Sequence, residues 1–525
     1  MLFTSWSFIF FIILLTCVNY ILPVRYRWIL FLISSLFFYA LSGVAGLIYL
    51  SAAALIIWVL ALVIEDRRNK GRDELKTVLA DASSDEKKAY RQKIKKSIGV
   101  VRFAGILMLV ALLFVFKYSK SLFPSLFDER SGDGFLRFAV PMGISFYTLS
   151  AIGYLADVSN NKYGAEKNPL KLALYLSFFP ALVQGPIARF GELKDTLFEP
   201  APFDGGKVME AALRIAWGYF KKVIVADRIA AAVAVLQKDP GTYTGMYSFL
   251  LLVFYTVQIY ADFTGGIDIT IGTAKALGVR LAENFDHPFF SRTLDEYWRR
   301  WHMSMGSWFR DYVFYPVSAS KALLKVAKAS RKRLGDGFGR RLPVYISTLL
   351  TWALTGIWHG TTVNFLVWGL LNGIFIIIGT EIDPLSRKLH ERHEGLRDNT
   401  AFRFIQASRT VALTAALRLF DLAPDPMTTV KRFISIFTVS NAGEVLGGGF
   451  SALGLSVYDL VIIAAGIAVM FAVSFMNRDV SVYEKLRKRG FIYPVIAFAL
   501  LIVAVIIFGA YGTGYDASQF IYNQF

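Results

Sequence analysis

Long apolar runs, broken by short charged clusters, set the pattern of this 525-residue chain. The runs fall at about 5–23, 28–43, 45–64, 101–117, 136–157, 170–188, 209–235, 246–276, 342–359, 361–379, 401–420, 454–476 and 491–511. A helix needs roughly 20 mostly apolar residues to cross a bilayer, and several runs approach that length. A membrane β-barrel would instead show alternating segments of about ten residues, and these runs do not alternate. The pattern predicts an all-α polytopic membrane protein, organised as one membrane domain over 1–525. Not every run need cross. The 209–235 run carries Lys221, Lys222, Asp227 and Arg228 and fits a helix lying along the interface. The first run, MLFTSWSFIFFIILLTCVNY, lacks a basic leader and a small-residue cleavage site, so it reads as a retained span.

The polar segments give an orientation. Arg25 and Arg27 follow the first run, the 65–97 loop is rich in Lys and Arg, and 277–341 holds KALLKVAKASRKR. Lys485, Arg487, Lys488 and Arg489 precede the last run. Basic loops stay in the cytoplasm, which places the N-terminus and the C-terminal tail outside. The Gly-rich, nearly neutral 437–457 loop suits the outer face.

Composition changes this picture little. Charged residues make up 18%, against roughly a quarter in soluble domains, and mean hydropathy is +0.48. The net charge of +18 lies mostly in loops between apolar runs. It therefore orients the protein and faces anionic membrane lipids, and nucleic acid is not the expected partner. The single cysteine, Cys17, excludes an internal disulfide and cysteine-rich metal sites.

Several runs are interrupted. Phe179-Pro180 and Gly185-Pro186 punctuate LSFFPALVQGPIARF, and Pro141 and Gly143 open PMGISFYTLSAIGYLADV. Proline cannot continue a regular helix, and non-helical backbone in a bilayer needs protein or a water-filled cavity around it. The breaks fit either a central cavity or simple kinks.

Chemistry centres on two of the five histidines, His302 and His359, each preceded by a tryptophan. Thr293 and Glu296 form a capping box that predicts a helix start. On that helix Glu296 and Arg300 can pair, Trp301 and Trp308 share a face, and His302 follows Trp298 by one turn. Arg299, Arg300 and Arg310 give the segment an interfacial character, so His302 reads either as a hydrogen-bonding interfacial residue or as a functional one. Between Arg341 and Glu381 there is no Asp, Glu, Lys or Arg, and His359 stands near the middle of that stretch, in WHGTTVN. An ionisable group in such sequence suggests function, the alternative being a solvated turn residue on the outer face. Histidine suits proton transfer near neutral pH, as in acyl transfer. No G-x-S-x-G, H-E-x-x-H or Walker A motif is present, and no metal site is expected. Asp262 and Asp268, in YADFTGGIDITIG, are either a site wall or proton relay, or buried carboxylates held by backbone. The tail ends in FIYNQF, with Tyr522 inside it, and docks either in an outer cavity or as an aromatic anchor.

Three stretches carry a family resemblance: YADFTGGIDITIGTAKALGVRLAENFDHPFF, DEYWRRWHMSMGSWFRDYVFYP and GIWHGTTVNFLVWGLLNG. Together with the two interrupted segments they resemble the membrane-bound O-acyltransferases (MBOAT), in the bacterial branch that acetylates alginate, peptidoglycan and cellulose or transfers D-alanine to teichoic acids. The resemblance is close from Pro141 to Gly373. It implies a ring of tilted helices with broken or re-entrant segments around a central tunnel, with a core at 136–380 and a last span plus outer aromatic tail at 491–525. It implies His359 as the essential histidine and His302 as the second, with Trp301, Trp358 and Asn364 shaping the path. No bound cofactor is implied. The acyl donor, acetyl-CoA or an acyl-carrier protein, is a substrate arriving from the cytoplasm, and an extracytoplasmic acetyltransferase partner and a polysaccharide receive the group outside. FIYNQF resembles the end of the small subunit that works with the D-alanyl transferase, which makes Tyr522 a candidate acyl acceptor or relay. Two features depart from the family or tilt within it: ALRLFDLAPDP replaces the usual aromatic-arginine signature, and the length suits the acetylating branch. The expected function is acetyl transfer to an exported polymer. The alternatives are D-alanyl transfer, or transport of an acylated lipid or small anion.

Overall fold

The computed structural model describes residues 2–122, 142–182, 184–393, 395, 399–478 and 480–511. Among these, every regular element is helical, and the one β pairing is a bridge between Phe285 and Trp301. Five helices among the described residues are long and apolar enough to cross a membrane: Gly46–Lys76, Ser84–Tyr118, Met246–Ala276, Val363–Lys388 and Val457–Met476. Trp6–Ile21 and Ile492–Phe508 are shorter apolar helices. The chain is thus an all-α, multi-pass membrane protein. It divides into two compact units, one of Phe3–Asp204 with Thr273–Ala282, the other of Gly205–Gly272 with the chain from Glu283 on.

In the first unit the 65–97 segment is mostly helix. The apolar helices run through it, ending at Lys76 and restarting at Ser84. Residues of high helix propensity fill it, and Asp66–Lys70 pairs one turn apart at 2.9 Å. Arg67 donates to Ser97 Oγ at 2.7 Å and ties the two arms. The expected helix break is also here: Pro169–Ser177 ends, Phe178 leaves helical geometry, Phe179–Leu182 makes one turn, and 184–189 is irregular. Ser35 Oγ accepts the Phe179 N–H at 3.3 Å, and the Phe179 ring packs on Phe11 and Phe38 at 5.5 and 5.2 Å. The interruption therefore keeps its backbone bonded inside protein, as an apolar surrounding demands. Pro141 lies outside the described residues.

In the second unit the 209–235 run is one continuous rod, Gly205–Tyr219, a π-helical stretch Phe220–Ala226, and Asp227–Lys238. Its Lys221 and Lys222 are buried rather than offered to an interface. The rod lies against the Met246–Ala276 helix at Gly218 and Gly265, where a Cβ on either would come within 2.6 or 2.9 Å of the other's carbonyl oxygen. This closeness puts the lysines in reach of the carboxylates opposite. Asp262 pairs with Lys222 at 2.5 Å, and Lys222 also holds Asp227 at 2.6 Å. Asp268 pairs with Lys221 at 2.6 Å and with Arg214 at 2.9 Å.

A hairpin carries His359. Helix Asp336–His359 turns at 360–362 into helix Val363–Arg392. The arms touch backbone to backbone: a Cβ at Gly356 would lie 2.2 Å from Phe365 O, and one at Gly369 would lie 2.3 Å from Trp352 O. Gly356→Val is expected to destabilise the protein by at least the roughly 1–3 kcal/mol of core overpacking. Gly379→Ala on the same hairpin, where a Cβ meets nothing within 4 Å, is expected to leave stability unchanged or slightly raised. Thermal unfolding of the detergent-solubilised variants checks this, and equal melting temperatures would contradict it.

Candidate functional site

The helix at Thr293 starts as its capping residue predicts: Thr293 Oγ1 accepts the Glu296 N–H at 3.1 Å. The Glu296 carboxylate reaches Arg292 N at 2.8 Å and Arg300 at 2.9 Å. The helix then stops at Arg300, earlier than expected. Trp301 is extended, His302 is left-handed at φ 48°, and a new helix, Met303–Phe309, begins. Trp301 and Trp308 therefore do not share one helix, and His302 is not one turn beyond Trp298. What wins is pairing with the 284–286 segment: Asp286 N–H donates to Arg300 O and Met303 N–H to Asn284 O, both at 2.9 Å.

That pairing delivers Asn284 to His302. Asn284 Oδ1 accepts from Ser304 N at 3.0 Å, from Ser304 Oγ at 2.9 Å, and faces His302 Nδ1 at 3.2 Å. The backbone N–H of Ser304 can only donate, which orients the amide with its oxygen inward. Nδ1 must then carry the imidazole hydrogen, leaving the basic lone pair on Nε2. His302 is 1% exposed, so it is not an interfacial residue. Burial pushes its pKa down to about 3, and it is neutral at physiological pH. Phe263 meets its ring edge-to-face at 4.9 Å, and Trp358 lies at 6.2 Å.

His359 ends its helix half-buried between two indoles, Trp358 and Trp368, each at 5.0 Å and nearly perpendicular. Both histidines thus touch Trp358. His359 faces a narrow cavity of about 20 Å³, walled by Ile259, Phe263, Phe365, Trp298, Trp301 and Trp368. Arg418 and Asp421 are its charged wall. The indoles form a wedge, with Trp298 at 4.9 Å from Trp352 and 5.6 Å from Trp368. Trp298 Nε1 donates to Asn372 at 2.9 Å, and Asn372 to Trp368 O at 2.8 Å.

The structure brings His302, His359, Trp301 and Trp358 together. Asn364 is not a cavity wall; its amide holds the carbonyl of Ala423. Asp262 pairs with Lys222, and Asp268 with Lys221 and Arg214, partners their sequence did not suggest. Tyr522 lies outside the described residues. Sequence reasoning missed Arg418, Asp421, Tyr255 and Tyr297. The signal was an Arg and an Asp three apart at the end of an apolar run, inside the ALRLFDLAPDP segment that departs from the family signature.

Comparison with known proteins bears on this site directly. Residues 82–330 match the model of MBOAT, the membrane-bound O-acyltransferase family. The matched stretch includes Asn284, Trp301 and His302 and ends before His359. The chain is 32% identical over 279 residues to the probable alginate O-acetylase AlgI of Pseudomonas syringae pv. tomato, covering 52% of this chain and 50% of that protein. It is 27% identical over 315 residues to the peptidoglycan O-acetyltransferase of Helicobacter pylori, covering 54% and 56%. Identity is 26% over 239 residues to the teichoic acid D-alanyltransferase of Bacillus subtilis, covering 45% and 58%. The chain thus spans about half the length of the curated relatives it matches.

The His302 pocket carries a pH signature. The unfolded imidazole binds a proton below about 6.5, and the folded one only near 3. Stability is then flat above pH 6.5 and falls below it by up to about 1.4 kcal/mol per pH unit. His302→Asn, which retains a donor toward Asn284 Oδ1 and cannot titrate, is expected to flatten this slope between pH 6.5 and 4.5. Melting temperature against pH checks it, with parallel curves as the contrary result.

Proposed function

We propose that this protein is an O-acyltransferase that moves an acetyl group from a cytoplasmic thioester donor, acetyl-CoA or an acyl-carrier protein, across the membrane for O-acylation of an exported polysaccharide or cell-wall polymer. The observation that carries this reading is the placement of His359, half-buried at a helix end between two indoles and lining an aromatic cavity, in a chain that matches the MBOAT model over residues 82–330. His359 takes the proton of the acceptor hydroxyl as its oxygen attacks the acyl carbonyl carbon. The new C–O bond forms, the C–S bond breaks, and the proton passes to the leaving thiolate. His302, fixed as the Nδ1–H tautomer, assists from beside Trp358, while Trp301 and Trp358 confine the path. Asn364 braces the Ala423 segment, and Asp262 and Asp268 brace the lysine-bearing rod.

Acetyl is favoured over D-alanyl because the alginate O-acetylase relatives are 32–34% identical and the D-alanyltransferase 26%. In this scheme both termini face outward, Tyr522 receives the acyl group there, and a secreted acetyltransferase passes it to the polymer.

His359→Ala is expected to remove acetyl ester from exported polymers, read by mass spectrometry, with the protein still in the membrane. Loss of D-alanine instead would select the alternative donor, and unchanged esters would sink acyl transfer and bring transport forward. Tyr522→Phe is expected to abolish acylation of the polymer and, with the acceptor hydroxyl gone, thioester consumption with it. Normal acylation in that variant would remove Tyr522 from the path.

A further inference from the structure

The cavity that His359 faces has a second chemical feature, a buried guanidinium. Arg418 is the last residue of helix Thr400–Arg418, and Asp421 closes the short 3-10 turn after it. Their side chains are 5% and 6% exposed. Three partners hold Arg418. Its guanidinium lies over the Trp301 ring at 4.2 Å, its Nη2 donates to Tyr297 Oη at 3.0 Å, and its Nη1 stands 3.9 Å from Asp421 Oδ2. Tyr255 Oη donates to the same Asp421 oxygen at 3.4 Å.

This is an unusual way to keep a buried cation. A structural arginine–carboxylate pair normally closes to about 2.7–2.9 Å, often through two parallel bonds. Here the carboxylate stays beyond hydrogen-bond distance, so it balances charge without occupying a donor. Among the described residues one N–H is hydrogen-bonded, to Tyr297, of the five a guanidinium carries. Among the described residues that wall the cavity, Arg418 is the only permanently charged cation. Desolvation makes a buried cation costly by several kcal/mol, and a cation held rigidly with donors in hand can serve as preorganised electrostatic stabilisation.

We propose that Arg418 is the electrophile of the acyl-transfer site, an assignment that rests on the reading above. Its guanidinium donates to the carbonyl oxygen of the bound acyl thioester. When the acceptor oxygen attacks the carbonyl carbon, the C=O π electrons move onto the carbonyl oxygen and Arg418 stabilises the resulting charge. His359 holds the acceptor's proton meanwhile. Collapse restores C=O, breaks C–S, and the thiolate leaves with the proton. Tyr297, Trp301 and Asp421 are positioning residues that fix the guanidinium plane.

The test uses the full-length protein in nanodiscs, with acetyl-coenzyme A as donor probe and the cell's extracytoplasmic fraction, exported polymer and secreted transferase together, as acceptor, followed by thiol release. Arg418→Gln is expected to lower kcat by about 10²–10³-fold with KM changed less than about threefold. Arg418→Lys, which keeps the charge but not the fork, is expected to recover part of that loss. A folded Arg418→Gln protein with wild-type kcat, or a loss carried by KM alone, would overturn the assignment. A second measurement leaves Arg418 in place. In the His359→Ala protein the carbonyl stretch of bound [1-13C]acetyl-coenzyme A should move to lower frequency than in buffer. An unshifted stretch in the bound state would overturn the assignment even if the Arg418 variants fail to fold. A wild type that binds and consumes no thioester would instead overturn acyl transfer itself, and this assignment with it.

Discussion

A polar group withdrawn from water must find its partner inside the protein, and in this chain that requirement decides the local structure wherever the helices are interrupted or charged. The break at Phe178 is closed by Ser35. The lysines of the π-helical stretch reach across a glycine crossing to Asp262 and Asp268. Each such closure needs two elements at a defined separation, so satisfying a polar group also fixes the packing. Breaking one partner of a buried ion pair leaves the other uncompensated, at a cost of several kcal/mol. These residues therefore hold the frame around the site.

The same requirement shapes the site. Asn284 gathers three donors on one oxygen and so selects the His302 tautomer. Reaching that geometry takes His302 into left-handed backbone, which a non-glycine residue adopts only under constraint from its surroundings. His359 is held differently, by shape. Close contact of the hairpin arms at Gly356 and Gly369 presses Trp352, Trp358 and Trp368 into one wedge. Aromatic walls then set an imidazole and a guanidinium on the same cavity.

Much of this was legible along the chain. Apolar runs marked the helices because their length is set by the bilayer, and Pro180 and Gly185 marked the break because proline removes a donor. His359 stood out as the one group able to titrate near neutrality in a stretch without charge. Other readings failed for physical reasons. The 65–97 segment looked like a loop because it is polar, yet polarity does not oppose helix in residues of good propensity. Trp301 and His302 looked helical because their spacing allows it, but pairing with 284–286 outweighs local preference. Asp262 and Asp268 could not be matched to Lys222 and Lys221, which lie some 40 residues earlier.

The sequence by itself determined the helical membrane architecture, the interruptions and the candidacy of the two histidines, because hydrophobic length, proline chemistry and the rarity of ionisable groups are properties of the residues alone. Only the tertiary structure decided which groups share a cavity. It joined Arg418 and Asp421 to His359, set Trp358 between the two imidazoles, drew Asn364 away to Ala423 and gave His302 its tautomer. Those outcomes depend on distances between residues far apart in the chain, and such distances exist only once glycine-tight helix crossings and buried hydrogen bonds have closed.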